Sequence, residues 1–395
     1  MAGMDEGRAT RLFTYSLLIR IGGFAVSMTV ISVLINHIID EFGLVGARQG
    51  LMNSMINAGN TLGVISTLAL RWNMKKATMI VIAGLLSAAM MALTGLAGSF
   101  PTLLIICVVL GVSFGWTDSY ANSCIIDANR ADSAKYQGAL HGCYGVGSLL
   151  TPVAIQILLA RHGWQGIYLT LAPVVLLTVV VFIVALGATK KHIPVSRIEA
   201  PSFSGGEIRL FFGGRRNVCL LMACLTYAMM MASLFAWLVR YMSVQHGAEA
   251  LGMTSVTVMW VCMTVSRFFA SRLPIGSVKL HMTGALAAGA ALCAGVFSGN
   301  AWAMCAMVGV VGLASGHCLP TLINESVVSY KGKSQLPASA MILAAQASGM
   351  AIPPVLGWIS QSSMQASMLL PIATVVASGL FGLAILRGDR RAGMR

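Results

Sequence analysis

Long apolar runs, separated by short clusters of charged residues, dominate this sequence and leave few ways for it to fold. Hydrophobic residues make up 57% of its 395 residues and charged residues only 10%. A soluble chain of this length needs more charge on its surface, so lipid must surround most of this one. A helix needs about 20 apolar residues to cross the hydrocarbon layer. Twelve segments meet this condition and begin near Phe13, Gln49, Thr78, Thr102, Tyr136, Gly166, Asn217, Leu251, Leu280, Ala301, Ala338 and Met368.

The distribution of Lys and Arg predicts how these spans are oriented. With a cytoplasmic N-terminus, only Arg48, Arg161 and Arg240 of the 26 Lys and Arg residues lie on the outer side. This asymmetry follows the positive-inside rule and would disappear with an odd number of spans. We therefore expect an all-α membrane protein with twelve transmembrane helices and both termini in the cytoplasm. No small-residue cleavage site precedes or ends the first span, so we expect that span to be retained.

Composition and motifs exclude several other classes of protein. The net charge of +14 does not indicate nucleic-acid binding, because the basic residues punctuate apolar segments and form no single surface. The nine cysteines show no CxxC spacing, so neither a disulfide scaffold nor a metal site is predicted. HExxH, GxSxG and Walker motifs are also missing from the sequence, which argues against an enzyme and against an ATP-driven pump. We expect no cofactor.

An internal repeat divides the chain into two related halves. Features recur at an offset of 201 or 202 residues: Gly111 and Gly115 with Gly312 and Gly316, Arg71 with Arg272, and Gly147 and Pro152 with Gly349 and Pro354. The longest polar stretch lies between spans six and seven and reads as a linker. We predict an N-terminal six-helix bundle (residues 1–188), a cytoplasmic linker (189–216) and a C-terminal six-helix bundle (217–395). Two such bundles can rock about a central site and open it to each side in turn.

Spans three, six, nine and twelve have no charged residue in their interiors and are expected to face lipid. The polar residues of the other spans need either a partner or water, because an unpaired polar group in hydrocarbon costs several kcal/mol. Arg20, in span one, is expected to extend its side chain to the inner interface.

Span four carries the clearest functional pattern. Gly111, Gly115, Asp118 and Asn122 share one helical face, which lines a cleft or packs on a partner helix. His141 of span five is expected at a similar depth. An acid near a histidine within the membrane is a candidate proton site, since loss of water favours the neutral carboxyl group. The alternative is an ion pair between helices without a role in transport.

Other polar residues of the spans are weaker candidates, because each is also explained by helix packing or by an interfacial position. His37 is a further candidate for proton coupling. The expected gating residues are Arg71, Arg272 and Glu325. The candidates for contact with a solute are Asn36, Asn53, Asn57, Asn60, Asn122, Tyr144, Tyr227, His317 and Gln346.

Two motifs carry a resemblance to a known family. Span five, LHGCYGVGSLLTP from Leu140 to Pro152, resembles the fucose:proton symporter-like branch of the major facilitator superfamily, and GWTDSYAN from Gly115 to Asn122 strengthens this resemblance. In that branch the span-four acid is the essential protonatable group, which the resemblance implies for Asp118. The branch's substrate-contacting Asn in span five falls on Gly142.

Two further family motifs differ in this chain. The end of span one resembles the Asn-Asp pair of the branch but reads Asn36-His37, so a histidine stands where the branch has a second acid. The superfamily's loop motif after span two reads Arg71-Trp-Asn-Met-Lys75-Lys76. The resemblance therefore implies the major facilitator fold and leaves the solute open.

We expect a secondary transporter of one of two kinds. The first is a proton-coupled symporter for a small polar solute such as a sugar, working by alternating access. The second is a proton-coupled efflux antiporter for amphipathic compounds, which a Met-rich second half would suit. The expected partners are the solute, protons and the lipid bilayer, and we expect a multi-pass monomer in the cell membrane.

Overall fold

The structure is a computed structural model that describes residues 5–69, 74–129, 132–189, 205–270, 273, 275–330 and 335–391. It is built of α-helices joined by short connections. In the first half of the chain these are α1 (Glu6–Glu41), α2 (Leu51–Ala69), α3 (Lys76–Gly95), α4 (Phe100–Ala128), α5 (Ser133–Leu159) and α6 (Trp164–Thr189), with a short 3₁₀ helix (Gly46–Gly50) before α2. Each of these six helices corresponds to one predicted span.

The second half begins with a short helix that falls inside the predicted linker. Its helices are α7 (Gly205–Gly213), α8 (Arg215–His246), α9 (Glu249–Ala270), α10 (Ser277–Phe297), α11 (Ala301–Ser315), α12 (Cys318–Ser329), α13 (Gln335–Ile359), α14 (Met364–Ser367) and α15 (Leu369–Arg391). Spans seven, eight, nine and eleven correspond to α8, α9, α10 and α13. Span ten is broken into α11 and α12, and span twelve consists of α14 and α15.

Eleven helical segments in the described part of the chain are long and apolar enough to cross a membrane. The exception among the predicted spans is α2, which has 19 residues and carries Asn53, Asn57 and Asn60. These three amides lower its hydropathy below that of the other helices. The membrane-spanning character of α2, and with it the count of twelve, therefore remains a prediction.

The chain separates into two compact units. Unit 1 comprises Met1–Ile38 and Met55–Ala200, and unit 2 comprises Ile39–Ser54 and Pro201–Arg395. In unit 1, α3 packs against both α4 and α6. In unit 2, α8 packs against α9, α13 and α15, while α10 packs against α11 and α15.

Glycines bring α2 and α4 into backbone contact in unit 1. A Cβ atom on Gly111 would meet the carbonyl oxygen of Ile56, and a Cβ atom on Gly115 would lie 2.5 Å from that of Asn60. Facing them on α2, Gly59 and Gly63 are equally close to the backbone of α4. The small-residue face of span four therefore packs on a partner helix, which was one of its two expected roles.

The same packing recurs in unit 2. A Cβ atom on Gly312 of α11 would lie 2.7 Å from the carbonyl oxygen of Met259, and one on Gly316 would lie 2.6 Å from the Cα atom of Met263. Both methionines belong to α9, the helix that corresponds to α2. The 201-residue offset between the two GxxxG motifs thus marks equivalent helix contacts.

Most exposed side chains of α6 are aliphatic, including Leu177, Val180 and Val184. The exposed Thr170 bonds to the carbonyl oxygen of Gly166 within the helix. This surface offers little to water and fits the prediction that span six faces lipid. The expectation for Arg20 is wrong. Its side chain does not extend to an interface: it is 0% exposed and lies against Gly84 of α3 and Val179 of α6.

Substitution of Gly111 by alanine should destabilise unit 1. The added methyl group would meet backbone atoms of α2, which cannot rotate away, so α2 and α4 must separate. Overpacking of this kind costs about 1–3 kcal/mol. Thermal unfolding of the purified protein in detergent measures the loss. Gly187→Ala on α6 is the matched control, because a Cβ atom there meets nothing within 4 Å. Equal unfolding temperatures for the two variants would contradict the close α2–α4 contact.

Candidate functional site

Asp118 and Asn122 form a bonded pair on an exposed face of α4. The Nδ2 atom of Asn122 donates to the carbonyl oxygen of Asp118 at 2.9 Å and to its Oδ1 atom at 3.2 Å. The spacing of four residues places both side chains one turn apart on one face, as the sequence predicts. The Asp118 carboxyl group remains accessible at the surface of unit 1.

His141 of α5 joins this pair. Its side chain is exposed and interacts electrostatically with Asp118. The position of α5 is fixed by close packing on α1, because a Cβ atom on Gly147 would meet the carbonyl oxygen of Gly22 and the Cβ atom of Ala25. The structure therefore brings together an acid, an amide and an imidazole from α4 and α5. We call Asp118, Asn122 and His141 the polar triad.

An aromatic cluster of Phe24, Phe114 and Tyr144 lies one helical turn away from the polar triad. The ring of Phe24 packs edge-on against Phe114, with 5.4 Å between centroids, and lies 5.8 Å from the ring of Tyr144. Phe114 precedes Asp118 by one turn of α4, and Tyr144 follows His141 by one turn of α5. Phe24 and Phe114 are buried, while Tyr144 is half-buried. The cluster therefore joins α1, α4 and α5 and supports one side of the triad.

The depth of Asp118 gives the polar triad its significance. Asp118 lies ten residues before the end of the 29-residue helix α4, about 15 Å along the axis. A hydrocarbon layer is about 30 Å thick, so this carboxyl group lies near its middle. An exposed carboxyl group at that depth needs water, because lipid cannot hydrogen-bond it. The surface around the polar triad must therefore be wet.

The asparagines of α2 and the end of α1 lie mostly inside the protein. Asn36, Asn53 and Asn60 are buried, and Asn57 and His37 are half-buried. The Oδ1 atom of Asn60 has no hydrogen-bond partner in the described part of the chain. Asn60 lies beside the Gly59–Gly111 contact, where α2 and α4 meet. This placement favours a packing role for Asn60 over direct contact with a solute.

Two candidates of unit 2 are also buried and bonded within the protein. The hydroxyl group of Tyr227 donates to the carbonyl oxygen of Ser315 at 2.8 Å. The Nδ1 atom of His317 is 3.1 Å from the hydroxyl oxygen of Ser266. Gln346, by contrast, is half-buried on α13. Of these three, only Gln346 has appreciable surface for a solute to touch.

The hydrogen bond of Tyr227 lies at the break between α11 and α12. Pro320 has no N–H group, so the carbonyl oxygen of Gly316, four residues earlier, loses its usual helical partner. The Nε atom of Arg267 donates to that oxygen at 3.1 Å. Ser315 is the last residue of α11, so its carbonyl oxygen also lies at the helix end, and the hydroxyl group of Tyr227 donates to it. A broken helix within a membrane is tolerated where neighbouring side chains satisfy its freed carbonyl groups, and here two of them do so.

Glu325 takes part in an ionic network at the predicted cytoplasmic end of unit 2. Arg216, at the start of α8, donates from Nη2 to Glu325 at 2.6 Å and from Nε to Asp389 of α15 at 3.1 Å. This network ties α8, α12 and α15 together. The other two predicted gating residues, Arg71 and Arg272, lie outside the described residues.

Two residues with distinctive environments, Arg267 and His281, were not identified from the sequence. Arg267 bonds to a carbonyl group at the break in span ten, and Pro320, which causes this break, is visible in the sequence. His281 of α10 is fully buried, with Nε2 3.1 Å from the hydroxyl oxygen of Ser378. It lies in a span that was expected to offer only lipid-facing surface. No periodicity distinguishes such a histidine from an exposed one.

Comparisons with known proteins extend these observations. A sequence model described as Major Facilitator Superfamily matches residues 16–323. A search of curated protein sequences gives no match. A bacterial homologue of the human lysosomal transporter Spinster, solved inward-facing and occupied, has 16% identity and a TM-score of 0.70, with 98% of each chain covered.

Two other solved structures share the fold. A mutant of the peptide transporter POT has 12% identity and a TM-score of 0.80, with 99% of each chain covered. A mutant of the nucleoside transporter NupG has 12% identity and a TM-score of 0.74, with 94% of this chain and 99% of that chain covered. At such identities the likeness concerns the fold and leaves the solute undetermined.

Replacement of Arg216 by glutamine should lower the thermal stability of the protein. Glu325 and Asp389, both partly buried, would then lie close together without a cation. We expect a loss of about 1–2 kcal/mol, between the values for exposed and for buried ion pairs. Arg215→Gln, at an exposed neighbouring residue, is the control and should change stability by less than about 0.5 kcal/mol. A stable Arg216→Gln variant would show that the network does not hold these helices together.

Proposed function

The chain belongs to the Major Facilitator Superfamily and is a membrane transporter rather than an enzyme, and we propose that it carries a small polar solute together with protons. The superfamily match covers most of the chain, and its structural neighbours are transporters of several kinds of solute. Proton coupling, symport and the sugar-like character of the solute are our proposals. They rest on the residues of the polar triad.

The observation that carries the proposal is an accessible carboxyl group near the middle of the membrane. Asp118 has no Lys or Arg partner among the described ion pairs, in contrast to Asp127, which pairs with Lys76 at 3.0 Å. Asn122 and His141 are its polar neighbours. A carboxyl group in this setting can exchange a proton with water and change charge during the transport cycle.

The proposed coupling is electrostatic. When Asp118 binds a proton it becomes neutral, and a neutral group passes more easily through a closed state from which water is excluded. When it releases the proton, its charge favours a state in which the surface is open to water. His141 stabilises the charged form when it is itself protonated. Proton binding thereby changes the balance between open and closed states.

We assign solute contacts by accessibility. Asn122 and the half-buried Asn57 and Tyr144 of unit 1 supply hydrogen-bonding groups with exposed surface, and Gln346 is the corresponding candidate in unit 2. We keep Asn36, Asn53, Asn60, Tyr227 and His317 as weaker candidates, since they are buried. Amide and phenol groups of this kind suit a neutral polar solute such as a sugar. Nucleosides and small peptides, the solutes named for two of the structural neighbours, belong in the same test.

The remaining assignments follow the charge distribution. We propose a monomer in the cell membrane with both termini in the cytoplasm, as the positive-inside rule indicates. The Arg216–Glu325–Asp389 network then lies at the cytoplasmic end, where it can hold the cytoplasmic side of unit 2 closed. His37, half-buried in α1, is a further candidate for proton binding.

Substitution of Asp118 by asparagine should abolish accumulation of the solute driven by a pH gradient. The amide cannot take up a proton, but it keeps the shape of the carboxyl group, so exchange of solute across the membrane should continue. A thermal-stabilisation panel of sugars, nucleosides and small peptides first identifies the solute. Proteoliposome uptake with an imposed pH gradient, and counterflow without one, then measure the two activities separately.

Asp127→Asn is the matched control, because Asp127 lies on the same helix but pairs with Lys76 near its end. It should retain accumulation. If Asp118→Asn accumulates solute as well as the unchanged protein does, Asp118 is not the coupling residue. The direction of solute movement under an inward proton gradient separates the alternatives: stimulated uptake indicates a symporter, and stimulated efflux indicates the antiporter.

A further inference from the structure

Arg20 is fully buried and has no hydrogen-bond or ion-pair partner among the residues that the structure describes. Its side chain is 0% exposed, and its Nε, Nη1 and Nη2 atoms all lack a hydrogen-bond partner in the described part of the chain. Buried polar groups in proteins are nearly always bonded, and a guanidinium group carries five donors and does not lose its charge. An unbonded one in the middle of a helical bundle therefore requires an explanation.

Beside Arg20, the described residues of α3 and α6 leave space for the guanidinium group but supply no counter-charge. A Cβ atom on Gly84 would lie 2.7 Å from Nε and 3.0 Å from Nη2, so the absence of a side chain at Gly84 makes this space. The aliphatic Val179 of α6 borders the same space, with its Cγ2 atom 2.7 Å from that Cβ position. The only charged residue of α3 is Lys76 at its start, and α6 has none. The neighbouring helices that hold Arg20 thus cannot neutralise it.

The depth of Arg20 matches that of the polar triad. Gly84 lies one turn before Ser87, whose hydroxyl oxygen is 3.2 Å from that of Ser27 on α1. Ser87 is thus level with Ser27, and Gly84 is level with a residue about one turn before Ser27. The guanidinium group beside Gly84 therefore lies at the depth of residues 20–24 of α1. Phe24 in turn packs on Phe114, one turn from Asp118. Arg20 and Asp118 hence lie within about one helical turn, or 5 Å, of each other in depth.

Among the described residues of unit 1, Asp118 is the only acidic one at this depth. The other acids of its spans and loops lie toward the helix ends, and Asp127 is already paired. The helices packed on α4 offer Asp118 few other ionisable groups. α1, which packs on α4 through Phe24, has Arg20, with Glu6, Arg8, Arg11 and Tyr15 toward its start and His37, Asp40 and Glu41 toward its end. α2 has none in its described residues, α3 has Lys76, which pairs with Asp127, and α5 has His141 at the site with Lys135, Tyr136, Cys143 and Tyr144 along the helix.

We propose that Arg20 is the electrostatic partner of Asp118 in the step of the cycle in which Asp118 has released its proton. This inference rests on the proposed role of Asp118 in proton coupling. In the state described here the two groups are apart: the guanidinium group is enclosed by α3 and α6, and Asp118 is at the wet surface. In the proposed step, a change of Arg20 side-chain conformation together with a movement of α1 against α4 brings the two groups into contact.

Such a pair would make proton release and conformational change one event. A charged Asp118 attracts Arg20 out of its unbonded position, and the resulting pair satisfies both groups. Protonation of Asp118 removes the attraction and returns Arg20 to the space beside Gly84. Arg20 is thus a positioning residue: it favours one conformation of unit 1 when the acid is charged and another when it is neutral.

The test is to replace Arg20 by methionine and to measure stability and transport on the same preparation. Methionine fills the space without charge. Since it removes an unbonded buried cation, we expect the unfolding temperature to rise by about 2 °C or more. We expect accumulation of solute to fall at least about tenfold and its pH profile to move by about one pH unit or more toward higher pH, because the Asp118 carboxyl group loses its cation. Arg20→Lys should retain much of the activity and the original pH profile.

Two further variants separate the alternatives. In an Asp118→Asn background, Arg20→Met should have no additional effect on the pH profile, since its partner is gone. Arg240→Met, which removes an arginine paired with Asp40 at 3.4 Å, is the control for loss of an arginine in general and should not raise stability.

The outcomes distinguish this inference from the function on which it rests. If Arg20→Met and Arg20→Gln both lower stability or fail to fold, Arg20 is a structural residue and the inference is wrong. If Arg20→Met leaves the pH profile unchanged while Asp118→Asn abolishes accumulation, the proton site stands and the pairing with Arg20 falls. If Asp118→Asn retains accumulation, the proposed function and the pairing both fail.

Discussion

A polar atom inside a bilayer has no water to bond with, so it must find a partner in the protein or lie on a wet surface. The described residues show both solutions. At the break in span ten, Tyr227 and Arg267 satisfy the carbonyl groups that Pro320 and the helix end set free. In the polar triad, Asp118 keeps an exposed carboxyl group near the middle of the membrane, which is possible only beside water. Arg20 has neither a hydrogen-bond partner among the described residues nor an exposed surface.

The two units share the same contacts between helices but differ in their fourth helix. In each, a GxxxG motif brings the fourth helix of the unit into backbone contact with the second. In each, the first helix bonds to the end of the fourth: Thr14 with Asn129 in unit 1, and Arg216 with Glu325 in unit 2. The fourth helix is continuous in unit 1 and carries the polar triad, whereas in unit 2 it is broken. The repeat thus carries an exposed acid in one half and a helix break in the other.

The sequence predicted the all-helical major facilitator fold because hydrophobic length acts on whole helices, whereas the orientation drawn from the charge asymmetry stays a prediction. Most helices begin within a few residues of the predicted start of their span, and the pairing of Asp118 with Asn122 follows from helical spacing alone. Side-chain environments were harder to predict. A buried Tyr227 and a solute-binding tyrosine look identical in sequence, because the difference lies in what the neighbouring helix presents.

Arg20 shows this limit most clearly. Long basic side chains near helix ends usually extend to the interface, and nothing in the local sequence indicates otherwise. Its burial depends on the missing side chain of Gly84, on another helix and distant in sequence. The break at Pro320 could have been recognised, but the groups that satisfy it could not. Contacts between helices thus decide which polar residues are free to act.

The proposed transport requires that water reaches the exposed face of Asp118 and does not reach the exposed face of α6. The direct measurement is labelling of Asp118→Cys by a polar, membrane-impermeant thiol reagent, after the nine native cysteines have been replaced. Leu177→Cys, at a position that is 62% exposed on α6, is the control. We predict that the cysteine at position 118 reacts and the one at 177 does not. Failure of the former to react at any pH, with or without solute, would contradict the account.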